Sequence, residues 1–244
     1  MHLNKYNVPK HVYRPQRVNT ADNKARNLKF LSLVINGMLA GVAFSLGAVA
    51  YLSIDSKTLG AAIFSLGLFV IFHYGFGFYT SKFSGFFNQD KQQNLTLIPI
   101  WLGNALGAAL TALLLFLTRE TYAYKLFERA NQLSGAKLEG TVINVIVSSI
   151  FCGLLMFFAV DIFKNAKSNL QKYLVPLFAI MIFVLCEFDH FVSGTFYFVM
   201  ADAISIKSIW YIILMTLGNS IGVIIIPLCH KGVKALKEKS NSSI

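Results

Sequence analysis

The sequence predicts an all-α integral membrane protein: six transmembrane helices forming two inverted three-helix repeats, with the second and fifth helices broken. Three observations carry this. Apolar runs dominate the chain while charges sit at the ends and in short gaps. Two of the runs are interrupted by glycine or ionisable residues. A Gly-Asn pattern followed by a further glycine recurs at an offset of 115 residues.

Of 244 residues, 55% are hydrophobic and only 14% charged, against about 25% charged in a soluble domain. The net charge of +11 comes from basic residues flanking apolar spans. This fits anionic lipid at the bilayer surface and gives no nucleic-acid patch.

A crossing helix needs about 20 apolar residues. Span one runs from about Leu28 to Leu52. Span two starts near Leu59, stays apolar to Phe72, and meets His73-Tyr74-Gly75-Phe76-Gly77-Phe78-Tyr79-Thr80. Span three covers Leu95 to Leu117 and span four Val142 to Phe163. Span five runs from Tyr173 to Phe188, is interrupted at Asp189-His190, and resumes to Met200. Span six covers Ile209 to Leu228.

With both termini on one side, that side collects 16 Lys and Arg and the other side six. The positive-inside rule then places both termini in the cytoplasm. Residues 1–27 are expected as an N-terminal tail, 28–230 as the transmembrane domain (halves about 28–118 and 140–230), and 231–244 as a C-terminal tail. No signal peptide is visible, so span one is expected to direct insertion. Cys152, Cys186 and Cys229 lack metal-like spacing and are expected as small buried residues.

The repeat rests on Gly103-Asn104 with Gly107 in span three and Gly218-Asn219 with Gly222 in span six. The same offset carries Gly75–Thr80 onto His190–Thr195, with Thr80 on Thr195 and Leu68 on Phe183; Gly37 falls near Gly153. Three spans per half is an odd number, so the halves insert in opposite senses. Such inverted repeats place a transport site between their broken helices, because irregular backbone at membrane depth must line a cavity or be buried in protein. The glycines themselves read as helix-packing positions.

His190, following Glu187 and Asp189 inside an apolar span, is the leading functional candidate, since ionisable groups at that depth are costly. Asp189 reads as structural at the break. The Thr80 hydroxyl is expected either to donate to an anion or His190, or to satisfy freed backbone groups. Phe64, Leu68, Phe78, Phe183 and Phe188 flank the breaks and can form dry constrictions, or simply pack. Lys137 precedes span four, as a solvated charge or an attractor of anions. No phosphate loop, zinc motif or nucleophile elbow appears, so no enzymatic activity and no cofactor are expected.

These residues resemble the formate/nitrite transporter family over about residues 28–230. Gly37-Met38-Leu39-Ala40-Gly41 is similar to its first-helix pattern. Trp101-Leu102-Gly103-Asn104 with Gly107, and Leu217-Gly218-Asn219 with Gly222, are similar to its third and sixth helices. Phe78-Tyr79-Thr80-Ser81 resembles the loop that breaks helix two, and Phe188-Asp189-His190 the motif in broken helix five. The resemblance implies an aquaporin-like fold, a homopentamer with one pore per protomer, and His190 as the central pore histidine opposite Thr80. It also implies Lys137 as the outer lysine and Phe64, Leu68, Phe78 and Phe183 at hydrophobic constrictions. The implied activity is passage of small monovalent anions and protons through a cell membrane of the bacterial inner or plasma type. Gly194 and Gly153 stand where the family often has asparagine, and Phe78 where its loop has leucine. Formate, nitrite, hydrosulfide, acetate and lactate all stay open as substrates. A neutral-solute channel is disfavoured because neither break carries Asn-Pro-Ala. A non-transporting scaffold is disfavoured because no sizeable soluble domain is present.

Overall fold

The computed structural model describes residues 20–241. The chain forms α1 (Thr20–Ser53), α2 (Lys57–Tyr74), α3 (Tyr79–Phe83), α4 (Lys91–Leu95), α5 (Leu97–Leu115), α6 (Glu120–Glu139), α7 (Val142–Asn165), α8 (Asn169–Leu185), α9 (Phe191–Met200) and α10 (Ile206–Asn241). Among the described residues, five helical stretches are long and apolar enough to cross a membrane: Asn23–Ser53, Lys57–Tyr74, Lys91–Leu115, Val142–Asn165 and Ile206–Asn241. α8 and α9 are shorter apolar helices. Leu46, Leu66, Ile143 and Trp210 are exposed on the surface, which suits contact with lipid. Residues 1–19 of the expected N-terminal tail lie outside the described residues, and residues 231–241 of the expected C-terminal tail continue α10.

Helix ends follow local chemistry. Ser56 caps α2 by accepting from Leu59 N–H, and Thr141 and Asn144 close a reciprocal capping box on α7. Gly75 ends α2 with φ of 66°, a left-handed conformation that glycine adopts without penalty. α1 packs on α5 and α2, α7 on α10 and α8, while α9 lies between α5 and α6. Glycine sets the closest approaches. A Cβ at Gly41 would run into the Asn104 backbone carbonyl, and one at Gly153 into that of Asn219.

The two interruptions are built alike. At Gly75–Phe78, Gly77 N–H donates to Asn36 Oδ1 at 2.8 Å, and Gly77 C=O accepts from Asn104 Nδ2 at 2.7 Å. Tyr79 N–H, opening α3, donates to Asn104 Oδ1 at 2.9 Å. At Cys186–His190, Asp189 N–H donates to Ser148 Oγ at 3.0 Å, and Asp189 C=O accepts from Asn219 Nδ2 at 2.8 Å. Phe191 N–H, opening α9, donates to Asn219 Oδ1 at 3.1 Å. Each asparagine also donates to the facing helix: Asn104 to Gly37 O and Asn219 to Ser149 O, both at 2.9 Å.

These bonds correct the register. Asn104 and Asn219 are 115 residues apart, but Gly77 pairs with Asp189, Phe78 with His190 and Tyr79 with Phe191 at 112. The chain from break to asparagine spans 25 residues in one case and 28 in the other. Those three extra residues displace the offset. Thr80 therefore corresponds to Val192, Phe183 to Ile71, Gly153 to Gly41 and Gly37 to Ser149. The cysteines need a correction too: Cys152 is buried, whereas Cys186 and Cys229 are exposed.

The link between spans three and four carries no long apolar run. It is α6, with Ala123, Leu126, Ala130 and Ser134 buried at helical spacing. Arg129 donates to Leu52 O and Ile54 O at 2.8 and 3.0 Å and pairs with Asp55, binding α6 to the α1–α2 turn. The Arg129 guanidinium, helped by Lys125, holds the Asp55 carboxyl below its usual value.

Replacing Asn219 with Ala strips partners from Asp189 C=O and Phe191 N–H in a buried site. The expected loss is about 3 kcal/mol, since each buried group left unsatisfied costs about 1–3 kcal/mol. Thermal unfolding of the purified variant in detergent measures it; an unchanged midpoint would remove the clasp from the account of the fold.

Candidate functional site

His190 is the last residue before α9 and is buried. Its Nδ1 accepts from Val192 N–H at 3.3 Å, capping the helix. Because Nδ1 serves as acceptor, Nε2 carries the ring hydrogen in this geometry. Nε2 has no hydrogen-bond partner among the described residues. Thr80 Oγ1, at the second position of α3, is likewise buried and unpartnered, so the two groups do not bond to each other.

Aromatic rings enclose the histidine. Phe78 stacks on it at 5.4 Å with an interplanar angle of 12°. Phe44 lies at 4.9 Å, Phe191 at 5.2 Å and Phe183 at 6.4 Å. Phe64 meets Phe44 edge-on at 5.1 Å and Phe183 at 5.5 Å. Leu68 is buried one turn beyond Phe64 on α2. The result is an apolar cluster of rings around the unmatched Nε2 of His190.

Phe44 is the residue missed in the sequence, although it touches Phe64, Phe78, Phe183 and His190. Its signal is one large ring among Ala40, Gly41, Ala43, Gly47 and Ala48. Asn36, Asn104, Ser148 and Asn219 were also missed as the groups that hold the breaks. Two expected residues lie apart from the ring cluster. Phe188 stacks on Phe151 at 5.5 Å. Gly194 faces Met215, whose Sδ a Cβ would approach at 2.7 Å, so it is a packing position between α9 and α10. Tyr79 bonds Ser220 Oγ through its hydroxyl at 3.0 Å and packs edge-on against Phe191.

Lys137, near the end of α6, forms an ion pair with Asp189, and both side chains are largely buried. Its Nζ also donates to Glu187 O at 3.3 Å. Glu187 has φ of 54°, a left-handed conformation unusual for a residue with a side chain. Lys137 thus braces the second break. On this face an open cleft of about 370 Å³ is lined by Tyr51, Asp55, Lys57, Arg129, Gln132 and Glu187 among others. It shares Tyr51, Leu133 and Glu187 with a smaller cavity that reaches Lys137 and Phe183.

The formate/nitrite transporter family matches residues 15–230. The chain is 25% identical over 196 residues to the formate channel FocA of Haemophilus influenzae, covering 73% of this chain and 69% of that one. It is 25% identical over 232 residues to an uncharacterized transporter of Saccharomyces cerevisiae, covering 84% of this chain but 37% of the yeast protein. Among solved structures, a pentameric formate channel with formate bound superposes with a TM-score of 0.71 at 21% identity, covering 85% of this chain and 98% of that one. An FNT family ion channel gives 0.66 at 18% identity, covering 85% and 89%. These structural likenesses establish a shared fold.

Replacing Lys137 with Met leaves the Asp189 carboxylate buried and alone, which is expected to cost about 3–5 kcal/mol of stability. Adding Asp189→Asn should recover a large part of that loss. A double-mutant cycle on thermal midpoints checks this; additive losses would mean that the pair does not hold the break.

Proposed function

The chain belongs to the formate/nitrite transporter family, and on that premise we propose that it is a channel for small monovalent anions, which cross as the neutral protonated acid past His190. The carrying observation is the unpartnered Nε2–H of His190 inside a shell of phenyl rings. A bare anion entering such a shell faces a desolvation cost of order 20 kcal/mol in the idealised limit. A weak acid of pKa about 4 is protonated at pH 7 for roughly 4 kcal/mol. Protonation is the cheaper route by a wide margin.

In this scheme the acid picks up its proton before the constriction. His190 offers Nε2–H to an oxygen or sulfur of the passing acid, and Thr80 serves as the second polar contact. A proton relay through His190 would require its cap on Val192 to open, since a doubly protonated ring cannot accept that bond. Phe44, Phe64, Leu68, Phe78 and Phe183 keep water out. Lys137, with Asp189, presents a donor at the mouth.

The same premise supports six membrane crossings in two inverted halves on an aquaporin-like plan, with α2–α3 and α8–α9 as the broken crossings. It also supports a homopentamer with a pore in each protomer, and both termini in the cytoplasm.

Purified protein in liposomes, tested with formate, nitrite, hydrosulfide, acetate and lactate, measures the activity. Flux limited by the neutral acid rises by up to about tenfold per pH unit lowered above the acid's pKa. His190→Phe is expected to cut it roughly tenfold, the worth of one good hydrogen bond. Absence of flux for every anion, with water or glycerol passing freely, overturns the proposal.

A further inference from the structure

Beneath the open cleft, the α6 face narrows to a cavity of about 20 Å³ lined by Tyr51, Leu133, Lys137, Phe183, Val184, Glu187, Phe188, Ser193 and Tyr197. Phe183, in its wall, also belongs to the ring shell around His190. Roughly 10–15 Å³ holds one water-sized occupant, so the neck takes one small group at a time.

Its polar lining is unevenly satisfied. Tyr197 is 6% exposed; its hydroxyl makes no hydrogen bond with the described residues, and its oxygen is not one of the fully enclosed unpartnered atoms, so it stays accessible where Tyr197 lines the cavity. Ser193, also buried, spends its hydroxyl hydrogen on His190 O at 3.1 Å, which leaves its oxygen free to accept. Lys137 has three N–H donors; Asp189 and Glu187 O take two. The neck therefore offers donors from Tyr197 and Lys137 and an acceptor from Ser193. His190, Ser193 and Tyr197 follow one another at helical spacing along α9.

We propose that Tyr197 and Ser193, with Lys137, form a selection station for small neutral weak acids at this neck. The Tyr197 hydroxyl donates to the acceptor atom of the acid, and Ser193 accepts its acidic hydrogen. A bare anion has no hydrogen for Ser193, and each added carbon makes an acid a poorer match for so narrow a neck. The station rests on the channel reading above and adds specificity upstream of His190.

The test compares concentration dependence of formate and acetate influx at one acid pH in liposomes of full-length protein, for wild type, Tyr197→Phe and Ser193→Ala. Tyr197→Phe keeps the ring and removes the donor. Its half-saturating formate concentration is expected to rise about tenfold, with the maximal rate little changed and the preference for formate over acetate reduced. Ser193→Ala should shift in the same direction, and it decides the matter should Tyr197→Phe not assemble. Wild-type influx with unaltered half-saturation and preference in the assembled variants overturns the station and leaves the channel standing. No wild-type influx of either acid defeats the channel reading itself.

Discussion

Two buried asparagines set the terms for this molecule. A helix that stops inside hydrocarbon exposes backbone groups that no water can satisfy, at several kcal/mol each. Asn104 and Asn219 answer that with one amide each: the carbonyl oxygen takes the first N–H of the resumed helix, and the NH₂ bridges the break to the neighbouring helix. Asn36 and Ser148 take the N–H of Gly77 and Asp189. No other side chain of similar size offers one acceptor and two donors on so short a stem. The glycines beside them follow from the same demand. Gly41 and Gly153 bring α1 and α7 close enough for the amides to reach across.

With the breaks held, the ring shell becomes possible. A continuous helix could not present His190 as a cap with one nitrogen engaged and the other turned away. The cap fixes the tautomer, and Phe78, arriving from the opposite break, covers the imidazole face. Lys137 adds a second hold, since Glu187 sits in a left-handed conformation worth about 1–3 kcal/mol of strain. Packing, polarity and backbone geometry at the site are thus one problem with one solution.

What could be read in advance follows from which signals are local. Breaks, apolar spans and the isolated His190 are local departures from a strong hydropathy pattern, and they stood out. Lys137's burial against Asp189 is a contact across 52 residues, which no spacing rule encodes. The repeat was visible in the Gly-Asn pairs, yet its register was off by three because the connecting segments differ in length. α6 escaped because its apolar stripe is made mostly of alanine and serine, which hydropathy barely registers. Phe188 was read from its closeness to His190 in the chain, which says nothing of what its ring packs on, and it stacks on Phe151; Gly194 rests on the family resemblance and faces Met215.

The corrected register carries one more step. Phe78 and His190 occupy equivalent places in the two breaks, and they stack. A pair of histidines there would hydrate the constriction and favour a charged occupant; a pair of phenylalanines would give a dry shell with nothing to recognise. One of each leaves a single ring donor at the edge of a stack whose other member is apolar. Such a site can hold a neutral polar molecule while penalising a charged one, because the lone hydrogen bond cannot replace a full hydration shell. The two halves therefore depart from symmetry at this ring pair, while the asparagine clasps that position both residues stay alike.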